Sequence, residues 1–328
     1  MSDHFLSYPL KFQPLPKTRI WGGQRLKELF QLKTEGAIGE VWTLSGHKSS
    51  VSVCLNGDLA GKKITEIIQE YPSLYLGHTE KDCFPILISF LYAEQNLSVQ
   101  VHPDDTYALK YDGDYGKTES WYILEAESGT RINYGHTFPN RHVYEQAITD
   151  GRVEEYLQYI DVQEDDFILI PPGTVHTVTP GILLIEIQQT SDVTYRVYDW
   201  GRGDAVGDGR ELHVDRAADV LIYHSQTVPC TRKRIKQLPN ETYEQLIHDP
   251  DCFSIDKWDF SKTLTLSMGK KGQPDVLICA RGEGTLHYKD QGKLSIQAGD
   301  TILVPADFST YMIQSRKTMT LLRVFYEK

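Results

Sequence analysis

Residues 165–176 read DDFILIPPGTVH, and residues 299–310 read GDTILVPADFST. Each carries an acidic residue, a four-residue apolar or β-branched run ending at proline, and then a turn. The two align without a gap at an offset of 134 residues. A strand–turn unit repeated at that distance predicts two copies of a β-barrel module; the alternative is one sandwich with a coincidental echo. The copies differ at one chemically important position, where His176 in the first corresponds to Thr310 in the second.

Strand patterns dominate the surrounding sequence. IGEVWTLS, SVSVCL, FPILISFLYA, LSVQVH, ESWYILEA, GILLIEIQQT and TYRVYDW alternate apolar and polar residues or favour β-branched and aromatic ones. Gly, Pro, Asn and Asp mark their ends. Many short strands joined by short turns predict a mainly β chain, a sandwich or barrel, with few helices. Ile64, Ile67, Ile68 and Tyr71 recur at helical spacing until Pro72. RHVYEQAITDGRVEEYLQYI reads as two short helices split at Gly151. LICARGEGTLHYKD and KLSIQAGD read as hairpin strands without a metal-ligand cluster. The expected division is therefore 1–238, carrying the chemistry, and 239–328, a structural barrel.

Composition narrows the class. The 328 residues have a net charge of −11 and a sequence pI near 5.5, which argues against nucleic acid or an anionic membrane as partner. No signal-like or membrane-length apolar run is present. Cys54, Cys83, Cys230, Cys252 and Cys279 are scattered and odd in number, so the expected setting is a reducing cytoplasm.

Three segments carry candidate metal ligands. In LSVQVHPDD (97–105), strand alternation places Ser98, Gln100 and His102 on one face and Leu97, Val99 and Val101 on the other. In YGKTESWYIL (115–124), Lys117, Glu119 and Trp121 share a face, although such a pattern is often a solvated strand start. In IPPGTVHTV (170–178), Pro172-Gly173 turns the chain and His176 enters the next strand. Two imidazoles, one carboxylate and one amide oxygen suit an open catalytic zinc site without thiolates. Manganese, iron and cobalt also accept such donors. A fourth segment, ILLIEIQQTSDVTYRVYDW (182–200), holds Glu186 on the strand after His176. It also sets Arg196 among Tyr195, Val197 and Tyr198, where a guanidinium needs a carboxylate or a ligand phosphate. Glu186 and Asp199 are the carboxylates within its own segment.

Together SVQVHPDD, YGKTE, IPPGTVHTV and IEIQQTSDVTYRVYDW, in that order, resemble the short bacterial type I mannose-6-phosphate isomerases. PLKFQPLPKTRIWGG (9–23) and RELH (210–213) extend the likeness over essentially the whole chain. The resemblance implies cupin (jelly-roll) β-barrels and one zinc ion per chain, with ligands at Gln100, His102, Glu119 and His176. It places Arg196 on the family's essential arginine, Glu186 on an active-site carboxylate and Lys117 on an active-site lysine. The implied substrate is a sugar phosphate, mannose 6-phosphate, interconverted with fructose 6-phosphate by a monomer or weak homodimer. Glu186 or a water at the metal would move the proton through an enediol, and Arg196 or Lys117 would hold phosphate or developing negative charge. The chain departs from the family at Ser89, which follows Pro85 where many members carry lysine. Competing readings are a redox cupin, a non-catalytic sugar-phosphate-binding relative, and an isomerase of another hexose. The first usually brings His-x-His with a glutamate a few residues on, whereas Glu119 lies 17 residues beyond His102.

Overall fold

The structure is a computed structural model that describes residues 7–79, 83–202, 210–223, 234–238, 241–289 and 292–326; Cys230 lies outside them. The chain is mainly β and forms two compact units that are not consecutive stretches. One comprises Met1–Leu15, Trp42–Ile88 and Thr231–Lys328, the other Pro16–Val41 and Ser89–Cys230. The division falls inside the strands Ile38–Leu44 and Ile86–Ala93. A single boundary at 238/239 thus misses the N-terminal segments that join the C-terminal residues. The reason is pairing: Leu10 and Lys11 add an edge strand to Thr301–Val304, with Leu10 opposite Leu303.

The first unit faces a seven-stranded antiparallel sheet, formed around Asp275–Arg281, Met319–Phe325 and Ser254–Phe260, with a four-stranded one. The four strands are Thr263–Ser267, Thr310–Ser315, Glu283–Tyr288 and Gly292–Gln297. Trp258, Leu277, Ile302 and Leu321 from one sheet meet Leu264, Leu286, Ile296 and Ile313 from the other in one core. SVSVCL, read above as a strand, contributes only the isolated bridges of Val53 with Lys63 and Cys54 with Phe12.

The second unit repeats the plan. Its six-stranded sheet runs Leu15–Gly23, Ile38–Leu44, Ile86–Ala93, Ile182–Gln189, Glu119–Ala126, Phe167–Ile170. Its five-stranded sheet runs Tyr195–Tyr198, Val99–Val101, His176–Thr177, Arg131–His136, Leu157–Asp161. Trp21, Leu91, Trp121, Ile123, Ile168 and Leu184 of the first pack on Ile132 and Tyr134 of the second. The outer face of the five-stranded sheet buries Val99, Val101, Tyr195 and Val197 against Tyr144, Ala147, Ala217 and Ala218. Those four belong to the helices Arg141–Thr149 and Val214–Val220. Asn140 caps the first of these helices by accepting the Val143 N–H at 3.0 Å.

Both units are therefore sandwiches of two open sheets, joined by side-chain packing and not by continuous ladders into closed barrels. The echoed segments occupy matching places. Phe167–Ile170 and Thr301–Val304 lie in the larger sheet of each unit, and the strands opening at His176 and Thr310 lie in the smaller. His176 is wholly buried, while Thr310 is exposed and its neighbour Tyr311 turns inward to donate to Asp275.

Candidate metal centre and active site

Pleating aims the chemistry inward. Antiparallel register puts Arg196 opposite Gln100, and Gln100 opposite His176, so these three share the inner face of the five-stranded sheet. On the facing sheet Glu119 stands opposite Gln188, and Trp121 opposite Glu186. Two loops are braced to each other where they deliver ligands. The Gly173 N–H donates to the His102 carbonyl at 2.8 Å, with Gly173 at φ +80°. A Cβ at Gly173 would come within 2.7 Å of Ile222, so both conformation and space require glycine. The Lys117 N–H donates to the Pro103 carbonyl at 3.0 Å. That approach depends on Gly116, where a Cβ would lie 2.3 Å from the Asp104 backbone.

His102, Glu119 and His176 converge, with one ligand atom from each all within 4.8 Å of one another. This is the one His/Cys/Asp/Glu group with metal-binding geometry among the described residues. The His102 Nδ1–H donates to the Val193 carbonyl at 2.8 Å, and the His176 Nδ1–H to the Thr174 carbonyl at 2.9 Å. Those bonds fix the tautomers and turn both Nε2 lone pairs inward. Glu119 Oε2 lies 3.4 Å from the Nε2 of His102, and Oε1 lies 3.2 Å from that of His176. Lone pair thus faces lone pair at two contacts. His102 Nε2 and both Glu119 oxygens, all buried, lack a hydrogen bond of normal geometry. Such an arrangement is costly unless a cation sits between them. Gln100 brings its side-chain amide to 3.2 Å from His176 Nε2, and rotation of that amide would present its oxygen.

Burial, helped by the positive charge of Lys117, holds His102 down to about 4, against the opposing pull of Glu119. It is therefore neutral and available as a ligand at physiological pH. Lys117 Nζ lies 3.0 Å from Glu119 and 3.9 Å from Glu186. Burial works against its charge, but these two carboxylates raise the ammonium above its ordinary range. Burial also opposes ionisation of Glu119, yet the positive charge of Lys117 brings it well below the usual carboxylate range. Glu186 goes the other way. Burial pushes it up to about 8, Lys117 opposing and the negative charges of Glu119 and Glu40 adding to the rise. At neutral pH the protons thus rest on Lys117 and Glu186 while Glu119 is charged.

Arg196 pairs with neither carboxylate that its segment offered. Asp199 instead accepts from Arg202 at 2.6 Å and from Arg210 Nε at 2.9 Å. Arg196 Nη1 donates to the Glu211 backbone carbonyl at 2.7 Å. Its buried Nε–H meets no acceptor among the described residues, leaving a directional donor for an anion. Ser89 is buried, and its hydroxyl reaches the Phe90 carbonyl at 3.4 Å. A cavity of about 610 Å³ near Val193 and His213 contains none of the triad. Its Asp112, Asp192, Glu211 and Asp215 outweigh Arg216, which makes it a poor receptor for a phosphate dianion.

The motif reading did not anticipate Arg19, which donates to Glu40 at 3.0 Å and interacts electrostatically with Asp192 and Glu186. The alternation Lys17, Arg19, Trp21 in PKTRIW could have marked it, because Trp21 belongs to the core. Glu211 acts through its backbone, for which a side-chain motif carries no signal.

Known proteins resemble this chain along its length. The catalytic-domain model of type I phosphomannose isomerase matches residues 10–126, and the mannose-6-phosphate isomerase cupin-domain model matches residues 243–326. Mannose-6-phosphate isomerase ManA of Bacillus subtilis is 36% identical, covering 93% of this chain and 96% of its own. Mannose-6-phosphate isomerase of Streptococcus mutans is 35% identical, covering 92% and 93%. The crystal structure of mannose 6-phosphate isomerase from Bacillus subtilis superposes with a TM-score of 0.89 at 31% identity, covering 97% and 99%. With relatives at this identity aligned along nearly their full length, the chain belongs to the type I phosphomannose isomerase family.

Proposed function

We propose that this chain interconverts mannose 6-phosphate and fructose 6-phosphate, using one zinc ion held by His102, Glu119 and His176 with Gln100 as a further ligand. The carrying observation is the pair of imidazole lone pairs turned onto both oxygens of a buried, ionised carboxylate. Nitrogen and oxygen donors without thiolate suit zinc at a catalytic site. When bound, the ion would supply Lewis acidity to the sugar's carbonyl.

The remaining chemistry falls to side chains. Aldose–ketose exchange moves a proton between C1 and C2 and adjusts protons on O1 and O2. Glu186, buried with Lys117 Nζ 3.9 Å away, is the carboxyl placed to give and take a proton. Lys117, held protonated between Glu119 and Glu186, opposes negative charge developing on the sugar oxygens. Arg196 offers its Nε–H to an anionic group of the substrate. Ser89 supplies no charge, so recognition of phosphate relies on the cations that remain. We place these groups in the unit of Pro16–Val41 and Ser89–Cys230 and read residues 239–328 as structural. The scattered cysteines favour a cytoplasmic setting; among the described residues no helix is long and apolar enough to cross a membrane.

The direct test is conversion of mannose 6-phosphate to fructose 6-phosphate by metal-stripped protein, before and after zinc is added. Activity should vanish on stripping and return with zinc. Zinc-loaded protein that leaves this sugar unchanged would favour another hexose or a binding role. A second expectation concerns Glu186 in metal-free protein. Its folded value, about 8, exceeds the ordinary 4.5, so its contribution to stability is complete below about 4.5 and is lost as pH rises through 8. The loss can approach 1.4 kcal/mol per pH unit, roughly the value of one proton. Glu186→Gln should flatten this decline in chemical denaturation between pH 5 and 8; an unchanged pH dependence would remove the assignment.

A further inference from the structure

The RELH segment has no role in the reaction as derived above, yet it is the segment that fixes Arg196. Three hydrogen bonds join them. Arg196 Nη1 donates to the Glu211 carbonyl at 2.7 Å, the Arg196 backbone N–H donates to His213 Nδ1 at 3.0 Å, and the His213 N–H returns to the Arg196 carbonyl at 2.9 Å. The segment is secured at both ends. Arg210 forks onto Asp199, just past Arg196 on the same chain segment. His213 is the N-cap residue of helix Val214–Val220, and its carbonyl accepts from Ala217 at 2.8 Å. That helix packs Ala217 and Ala218 onto Tyr195 and Val197, the residues on either side of Arg196.

A flexible arginine gains little from mere proximity to substrate, because orientation is lost among its rotamers. Here the guanidinium is bonded at one end of its fork, so its Nε–H, buried and without an acceptor among the described residues, keeps a defined direction. We propose that His213 is a positioning residue for the reaction: together with the Glu211 carbonyl it orients Arg196 so that Nε–H serves an anionic substrate group, and the Arg210–Asp199 pair latches the segment. His213 acts only through Arg196 and touches no reacting atom. The inference rests on the isomerase reading and on a substrate-binding role for Arg196.

The test is a double-mutant cycle on zinc-loaded full-length protein, with mannose 6-phosphate as substrate. His213→Ala should lower kcat/KM roughly tenfold to a hundredfold, the scale of a misplaced catalytic group, at unchanged zinc content. His213→Asn, whose amide oxygen can accept the Arg196 N–H, should recover most of the loss. In the Arg196→Ala background, His213→Ala should change kcat/KM by less than about twofold, because the group it orients is gone. Additive losses, or a His213→Ala enzyme as active as wild type, would overturn the proposal. If His213→Ala does not fold, Arg210→Gln provides the same cycle through the latch, and additivity there is equally decisive. An Arg196→Ala enzyme with wild-type kcat/KM would instead sink the role of Arg196 itself, so the two failures are distinguishable.

Discussion

His176→Ala protein will emerge without bound zinc and without isomerase activity. The imidazole is wholly buried, its tautomer is set by the Thr174 carbonyl, and its Nε2 lies 3.2 Å from Glu119. Removing it leaves His102 and Glu119 with only the neutral amide of Gln100, a weak ligand. Loss of an outer-shell partner already costs metal sites about 10- to 100-fold in affinity, and loss of a direct ligand should cost more. Metal analysis after dialysis and the coupled isomerase assay should therefore fall together. Normal zinc content in this variant would remove His176 from the ligand set.

Arg196→Ala should separate the two properties. Kcat/KM for mannose 6-phosphate should drop by roughly a hundredfold or more, in the range seen when a preorganised donor to developing charge is deleted. Bound zinc should stay near one per chain. Arg196 stands opposite Gln100 in register, but its side chain bonds to Glu211 and not to the triad. Retained activity would end its proposed role, and loss of zinc would show that it supports the ligands.

Much of the site was legible because a strand has period two. Alternation alone put Gln100 with His102 and Lys117 with Glu119, and their inward faces follow from Val99, Val101 and Trp121 packing as they do. Gly173 stood in its motif as a turn signal, and it and Gly116 both prove to be points of close approach. Pairing between distant strands was not legible. That Gln188 stands opposite Glu119, or Arg196 opposite Gln100, depends on register set by the assembled core. The choice left open for Arg196, a carboxylate or a ligand phosphate, was illegible for a related reason: Asp199, three residues on, was claimed by Arg202 and Arg210. The repeat at 165 and 299 correctly implied two similar units. It could not reveal that their sheets remain open, since closure depends on edge hydrogen bonds and not on apolar pattern.

The edge strand Leu10–Lys11 imposes an order on the birth of the protein. Its partner, Thr301–Val304, leaves the ribosome long after it. The unit that holds His102, Glu119 and His176, by contrast, has all of its segments in hand once residue 230 is out. Vectorial synthesis therefore allows that unit to assemble first, while Leu10 and Lys11, whose early neighbours are Leu55 and Asn56, wait for Thr301–Val304 to arrive. A nascent chain cut short before Thr301 would leave Leu10–Lys11 without that ladder, exposing an edge of the kind that invites association with other chains.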